Sequence, residues 1–417
     1  MLTRGDATAR HRLILFGLFV TALPPVVLLL HNAALWLGGN AWFPLQDGLN
    51  IWTGAHMALT GQIATLFNPW AYGDWFHAHF GGDLHTWSYP PSYLLLALPF
   101  GLLPPVAGVL CYDALSLLIL FAALRACGFG GRFSAAILLC PATFANLCDH
   151  TNGALFAACL VAGLFLAETR PYLAGVLIGL LTMKPQLGLL IPVFWLARGN
   201  WRGIFAATLT AASLVAASIW AFGWQSWVMF ATKVMPFMTY VLVQLTGKDT
   251  GGSRAMIMSV FSLAQQLGLG FTGAKALQLA ATFAAIALAA VLGRCRAMPT
   301  PFLVAALLLL ATLATPYIWF YDMIPASLAV ALLVQDGLRT GFRPGELAVF
   351  ACLWVTPGIA YQLAILRWPN FAPVLVVLTL IYLWRRNGAR PSGKLAERQG
   401  FEPWVRFHAH TLSKRAP

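Results

Sequence analysis

Four ionisable residues interrupt apolar or aromatic stretches where charge is expensive: Asp47, Asp149, Lys184 and Asp322. Ionisable groups at membrane depth tend to be paired or functional. Asp47 lies in Trp42-Phe43-Pro44-Leu45-Gln46-Asp47-Gly48. A carboxylate there can take a proton from a hydroxyl as a general base. The same position, before Gly-Leu-Asn, suits a helix N-cap, and the residues alone leave both readings open. Lys184 is a lone lysine between two apolar half-segments and just before Pro185. It can clamp an anion where low dielectric strengthens every contact, or it can snorkel from a helix end. Arg254, Lys248 and Lys233, in the stretch 223–254, are further candidates for an anion. His77, His79, Asp83 and His85 contain a His-x-His pair, yet the spacing is loose and no Cys joins them. Hydrogen bonding or plain polarity suits them better than a metal.

These residues must be positioned by membrane helices. Of 417 residues, 59% are hydrophobic, 13% aromatic and only 9% charged, against about 25% charged in a soluble domain. A mean hydropathy of +0.75 and repeated apolar runs exclude an ordinary soluble enzyme and predict an all-α polytopic membrane protein. The net charge of +13 reads as cytoplasmic-loop excess rather than nucleic-acid binding. The seven Cys fall in or beside apolar segments and read as small buried hydrophobes.

No Lys or Arg occurs between Leu13 and Leu124, although 38–91 is long and polar. Such a loop belongs outside, with the bursts at Arg125/Arg132, Arg170, Arg198/Arg202, Arg294/Arg296, Arg339/Arg343 and Arg385/Arg386/Arg390 inside. The arrangement predicts about ten to twelve spans, two half-helices meeting at Lys184-Pro185, and both termini inside. The twelve-residue piece 92–103 is short for a span. Leu49, Trp52, Ala55, Met57 and Leu59 predict a helix lying on the outer membrane surface. Asp113, inside an apolar span, is expected to pair with a Tyr or another helix. Residues 1–384 form the membrane domain, and 385–417, polar and basic, read as a disordered cytoplasmic tail. The terminal string 400–417 is similar to one produced by read-through into a transfer-RNA gene, so His408 and His410 carry no weight.

The order of motifs resembles glycosyltransferase family 87 of the GT-C superfamily over roughly residues 10 to 385. The matching features are Asp47 with Gly-Leu-Asn-Ile-Trp, then Trp87-Ser88-Tyr89-Pro90-Pro91 and Asn152-Gly153. Further on stand Gly175, Gly179, Met183-Lys184-Pro185 and Thr315-Pro316-Tyr317 with Tyr321-Asp322. The chain departs at His150-Thr151-Asn152, where relatives often carry Gln or another polar pair, and Gly251-Gly252-Ser253-Arg254 matches only partly. Relatives include mannosyl- and arabinofuranosyltransferases of actinobacterial lipoglycans. The resemblance implies a GT-C fold and transfer of a hexose or pentose, mannose foremost, from a polyprenyl-phosphate sugar to a lipid or glycan acceptor. It places the reaction on the extracytoplasmic side of a bacterial inner membrane. It puts the catalytic base at Asp47 and implies inversion, with donor phosphate held by Lys184, Arg254 and Lys248. Sugar or acceptor contacts fall to Tyr89, Asp149, His150, Asn152, Tyr317 and Asp322. No metal or other cofactor and no nucleic acid is expected; membrane lipids are. A transporter or flippase also explains many spans and broken helices, but not a 50-residue outer loop that opens on Asp and closes on Tyr-Pro-Pro.

Overall fold

The computed structural model describes residues 23, 26–35, 37–39, 45–81, 85–246 and 253–388. The chain is all-α. Among the described residues the sole extended pairing is an isolated bridge between Ile257 and Trp319. Among the described residues five helices are long and apolar enough to cross a bilayer: Pro105–Ala126, Trp201–Phe222, Trp224–Val243, Phe271–Arg294 and Glu346–Ile365. Gly131–Leu138 and Pro141–Cys148, bent by 47° at the break between them, pass the same test as a pair. Among the described residues the shorter apolar helices, of 10–17 residues, are Val26–Leu35, Pro91–Gly101, Gly153–Phe165, Pro171–Met183 and Thr300–Leu313.

Proline sets the helix starts. Pro69, Pro91, Pro105, Pro141 and Pro171 each occupy the first position of a helix, where the missing N–H costs nothing and the fixed φ fits. Pro185 does the same and forces the residue before it out of the helical region. Lys184 accordingly has φ −139° and ψ 68°, which breaks the apolar run at the expected place.

Gly153–Phe165 and Thr300–Leu313 are apolar all round and almost wholly buried, as a helix without a polar face must be. They pack on each other at the centre. Pro171–Leu180 lies against Trp201–Phe222, with Gly175 and Gly179 at the crossing; small residues let membrane helices approach closely. Trp201–Phe222 has only 11% of its apolar window buried, so it faces lipid. The basic bursts gather at helix ends. Arg198 bonds Glu168 and the Cys295 carbonyl, and Arg296 bonds the Arg198 carbonyl.

Two expectations change. The helix predicted for the first outer loop exists as Gln46–Leu59, but Leu49, Ala55 and Met57 are fully buried. It packs on Pro91–Gly101 and Pro105–Ala126, so protein rather than lipid covers its apolar face. The Trp52 indole N–H donates to the Leu103 carbonyl at 2.9 Å. At the other end, the helix Ala372–Gly388 runs past residue 385, and Arg386 is buried in bonds to Glu346, Asp336 and the Gly341 carbonyl. Residues 389–417, the remainder of the expected tail, lie outside the described residues.

Candidate active site

Asp47 stands in the first turn of the Gln46–Leu59 helix, where the positive end of the helix dipole favours a negative side chain. The N-cap position belongs to Leu45, and no side chain caps that end, so the capping alternative for Asp47 falls. Its carboxylate meets Nε2 of His85 at 3.0 Å and keeps 41% of its side-chain surface exposed. A substrate can therefore reach it. His85 is placed by stacking on Phe76, ring centroids 4.7 Å apart, and by Asn50, whose amide donates to the neighbouring Thr86 carbonyl.

Gly48, the next residue, is pressed against the turn 149–152. A Cβ there would come within 2.6 Å of both the His150 Cβ and Val109 Cγ1, so a side chain would push the two segments apart. The turn itself fans its polar groups outward. Asp149 accepts from the Tyr361 hydroxyl, His150 Nδ1 meets Asp113 Oδ2 at 2.6 Å, and Thr151 donates to Asn146. Burial first, and the charge of Asp47 second, push the Asp149 carboxyl well above the usual carboxylate range; the Tyr361 bond opposes them.

Asn152 accepts from the Lys184 ammonium at 2.8 Å, and Lys184 is also ion-paired with Asp322. Lys184 is 5% exposed and Asp322 1%. The ammonium stands 5.3 Å from the Tyr321 ring centroid and 5.9 Å from that of Phe156, within cation–π range. Gly153 is required here, because a Cβ would meet the Tyr321 carbonyl at 2.3 Å. Tyr89 links the two halves. Its ring stacks on Tyr93, centroids 4.4 Å apart, and Asn152 donates to the Tyr93 hydroxyl at 3.4 Å; burial first, then Tyr93 and the charges of Asp47 and Asp322, push the Tyr89 hydroxyl far up.

The structure thus brings together Asp47, Tyr89, Asp149, His150, Asn152, Lys184 and Asp322. It does not bring Tyr317, whose ring packs in a separate small cluster with Leu242, Ile257 and Phe261; Tyr321 takes its expected place. Lys233 is exposed on a π-turn, Phe230–Val234. Lys248, Asp83 and the side chain of Arg254 lie outside the described residues. Among the described residues no three His, Cys, Asp or Glu side chains group as metal ligands; His79 instead stacks on Trp75. Sequence reasoning missed the Asp47–His85 bond, Tyr321 and Tyr361. A carboxylate in an apolar helix, Asp113, did signal a partner, without naming His150.

A buried ammonium and an accessible carboxylate thus stand among tyrosines in an all-α chain with several helices long and apolar enough to cross a membrane. The family model described as glycosyltransferase family 87 matches residues 87–318, more than half of the chain, and the chain belongs to that family. No curated protein and no solved structure matches it. It is a multi-pass membrane glycosyltransferase.

Proposed function

We propose that the protein transfers a hexose or pentose, mannose foremost, from a polyprenyl-phosphate sugar to an envelope lipid or glycan. In this reading the reaction runs on the extracytoplasmic side of a bacterial inner membrane. The supporting observation is an accessible Asp47 carboxylate, held by His85, whose helix meets at Gly48 the turn that carries Asn152 and the buried Lys184 group. Asp47 takes the proton of the acceptor hydroxyl while that oxygen bonds to the anomeric carbon. The bond from that carbon to the phosphate oxygen breaks, and polyprenyl phosphate leaves with the electron pair. One displacement inverts the anomeric centre.

Two of the three Lys184 protons go to Asn152 and Asp322, and an ammonium has a third to give. That third donor meets a phosphate oxygen, with Arg254 and Lys248 as second contributors. Tyr89, Tyr321, Asp149, His150, Asn152 and Asp322 line the place for sugar hydroxyls. The departing phosphate monoester carries less charge than a departing pyrophosphate, and this reading assigns no metal to the transfer.

The test is Asp47→Asn in purified protein in nanodiscs, with a panel of polyprenyl-phosphate sugars and extracted envelope lipids. Transfer should fall about a hundredfold or more, the ordinary worth of a general base, while folding is kept. Near wild-type transfer by Asp47→Asn refutes the base assignment.

A further inference from the structure

Asp113 sits midway along Pro105–Ala126, a membrane-crossing helix, and is 5% exposed. A carboxylate there is costly, and a leucine would fill the space at less expense. One oxygen meets His150 Nδ1 at 2.6 Å, while the other, Oδ1, is buried without a hydrogen-bond partner. A half-satisfied buried carboxylate is a poor device for stability. Its partner occupies strained backbone. His150 has φ +54°, the left-handed region that residues with a Cβ seldom adopt. Such strain persists only where the surroundings hold it, and it concentrates at functional sites.

We propose that Asp113 is a positioning residue for transfer, acting through His150. Its carboxylate accepts from Nδ1–H, which fixes the tautomer and leaves Nε2 as the ring's acceptor. It also pins the turn 149–152 at its strained residue. That turn joins three parts of the site: Gly48 rests on His150, Asp149 takes the Tyr361 hydroxyl, and Asn152 takes the Lys184 ammonium. Holding His150 therefore holds the spacing between Asp47 and Lys184. A displacement of about 1 Å, caused well away from the chemistry, can cost about a hundredfold in rate. The inference rests on the roles proposed above for Asp47 and Lys184.

Two readouts test it in the full-length protein in nanodiscs. In protein carrying nitrogen-15 histidine, the imidazole N–H held by Asp113 gives a slowly exchanging downfield proton, assigned by its loss in His150→Asn. Asp113→Asn should move that signal upfield and speed its exchange. In transfer assays Asp113→Asn should lower kcat about a hundredfold and leave the donor KM nearly unchanged. His150→Asn should cost about as much, and the double variant no more than either single, because residues acting as a unit are non-additive. Multiplying losses, an unmoved signal, or near wild-type kcat in Asp113→Asn overturns the proposal. Loss of folding in both Asp113→Asn and Asp113→Glu shows a structural ion pair and overturns it too. A wild type inert towards every polyprenyl-phosphate sugar counts against the proposed donor alone, and the histidine signal then decides the assignment of Asp113.

Discussion

Removing Asp322 leaves the Lys184 ammonium in a place where it is 5% exposed, with Asn152 as its remaining oxygen partner. Breaking a buried pair by deleting one member costs about 3–5 kcal/mol, whereas replacing both by apolar residues of similar volume is often neutral. The upper end has a natural ceiling. Neutralising an ordinary lysine at pH 7 costs about 4.6 kcal/mol, from its usual pKa of about 10.4 at about 1.36 kcal/mol per unit. At about 2 °C per kcal/mol for a large chain, Asp322→Leu should lower the apparent melting temperature by about 6–9 °C. The double variant Lys184→Met/Asp322→Leu should recover most of that loss and yet transfer no sugar. The 16 tryptophans make intrinsic fluorescence in nanodiscs a suitable assay, with all variants scanned at one rate because unfolding of such proteins is kinetically controlled. Equal melting of the single and double variants refutes the stability argument. Transfer retained by the double variant removes Lys184 from the anion site.

Three further outcomes follow from contacts already described. His85→Ala removes a hydrogen bond to a charged group, worth about 1.5–3 kcal/mol, and should lower kcat about tenfold to a hundredfold; an unchanged kcat shows that His85 does not hold Asp47 for the reaction. Gly153→Ala drives a Cβ to 2.3 Å from the Tyr321 carbonyl, and overpacking of this kind costs about 1–3 kcal/mol, so melting and donor KM should both worsen; normal values for both refute the close approach. Ala78→Cys, exposed on the Pro69–Phe80 helix, should react with an impermeant thiol reagent in intact cells once the exposed Cys111 and Cys352 are replaced; labelling only after permeabilisation reverses the topology.

The membrane class and the break at Lys184 were legible because both rest on local rules. Apolar run length decides what can cross a bilayer, and Pro185 dictates the backbone before it. Asp47, Asn152, Lys184 and Asp322 were legible because charge and amide groups stand out against such a background. Their mutual bonds were not. Lys184 and Asp322 are 138 positions apart, and no periodicity links residues at that separation. Tyr317 was assigned to sugar contacts by the family resemblance, and the backbone path through Phe320–Met323 instead sets Tyr321 beside Lys184. The surface helix was misplaced for a similar reason. An apolar stripe says that a face is covered, and packing decides whether lipid or the Pro91–Gly101 helix covers it.

The shortness of Gly153–Phe165 has a consequence for how substrates travel. Its 13 residues rise about 20 Å, while the hydrocarbon layer is about 30 Å thick. Beyond Phe165 the chain soon reaches Glu168, which Arg198 bonds, and Arg170, charges that belong at the aqueous boundary. Standing upright with its Phe165 end at one boundary, a helix of this length stops about 10 Å short of the other. A water-borne sugar nucleotide would have to dive to that depth and shed its hydration on the way. The proposed donor, a sugar tethered to a membrane-dissolved carrier, would reach that level by sideways diffusion alone.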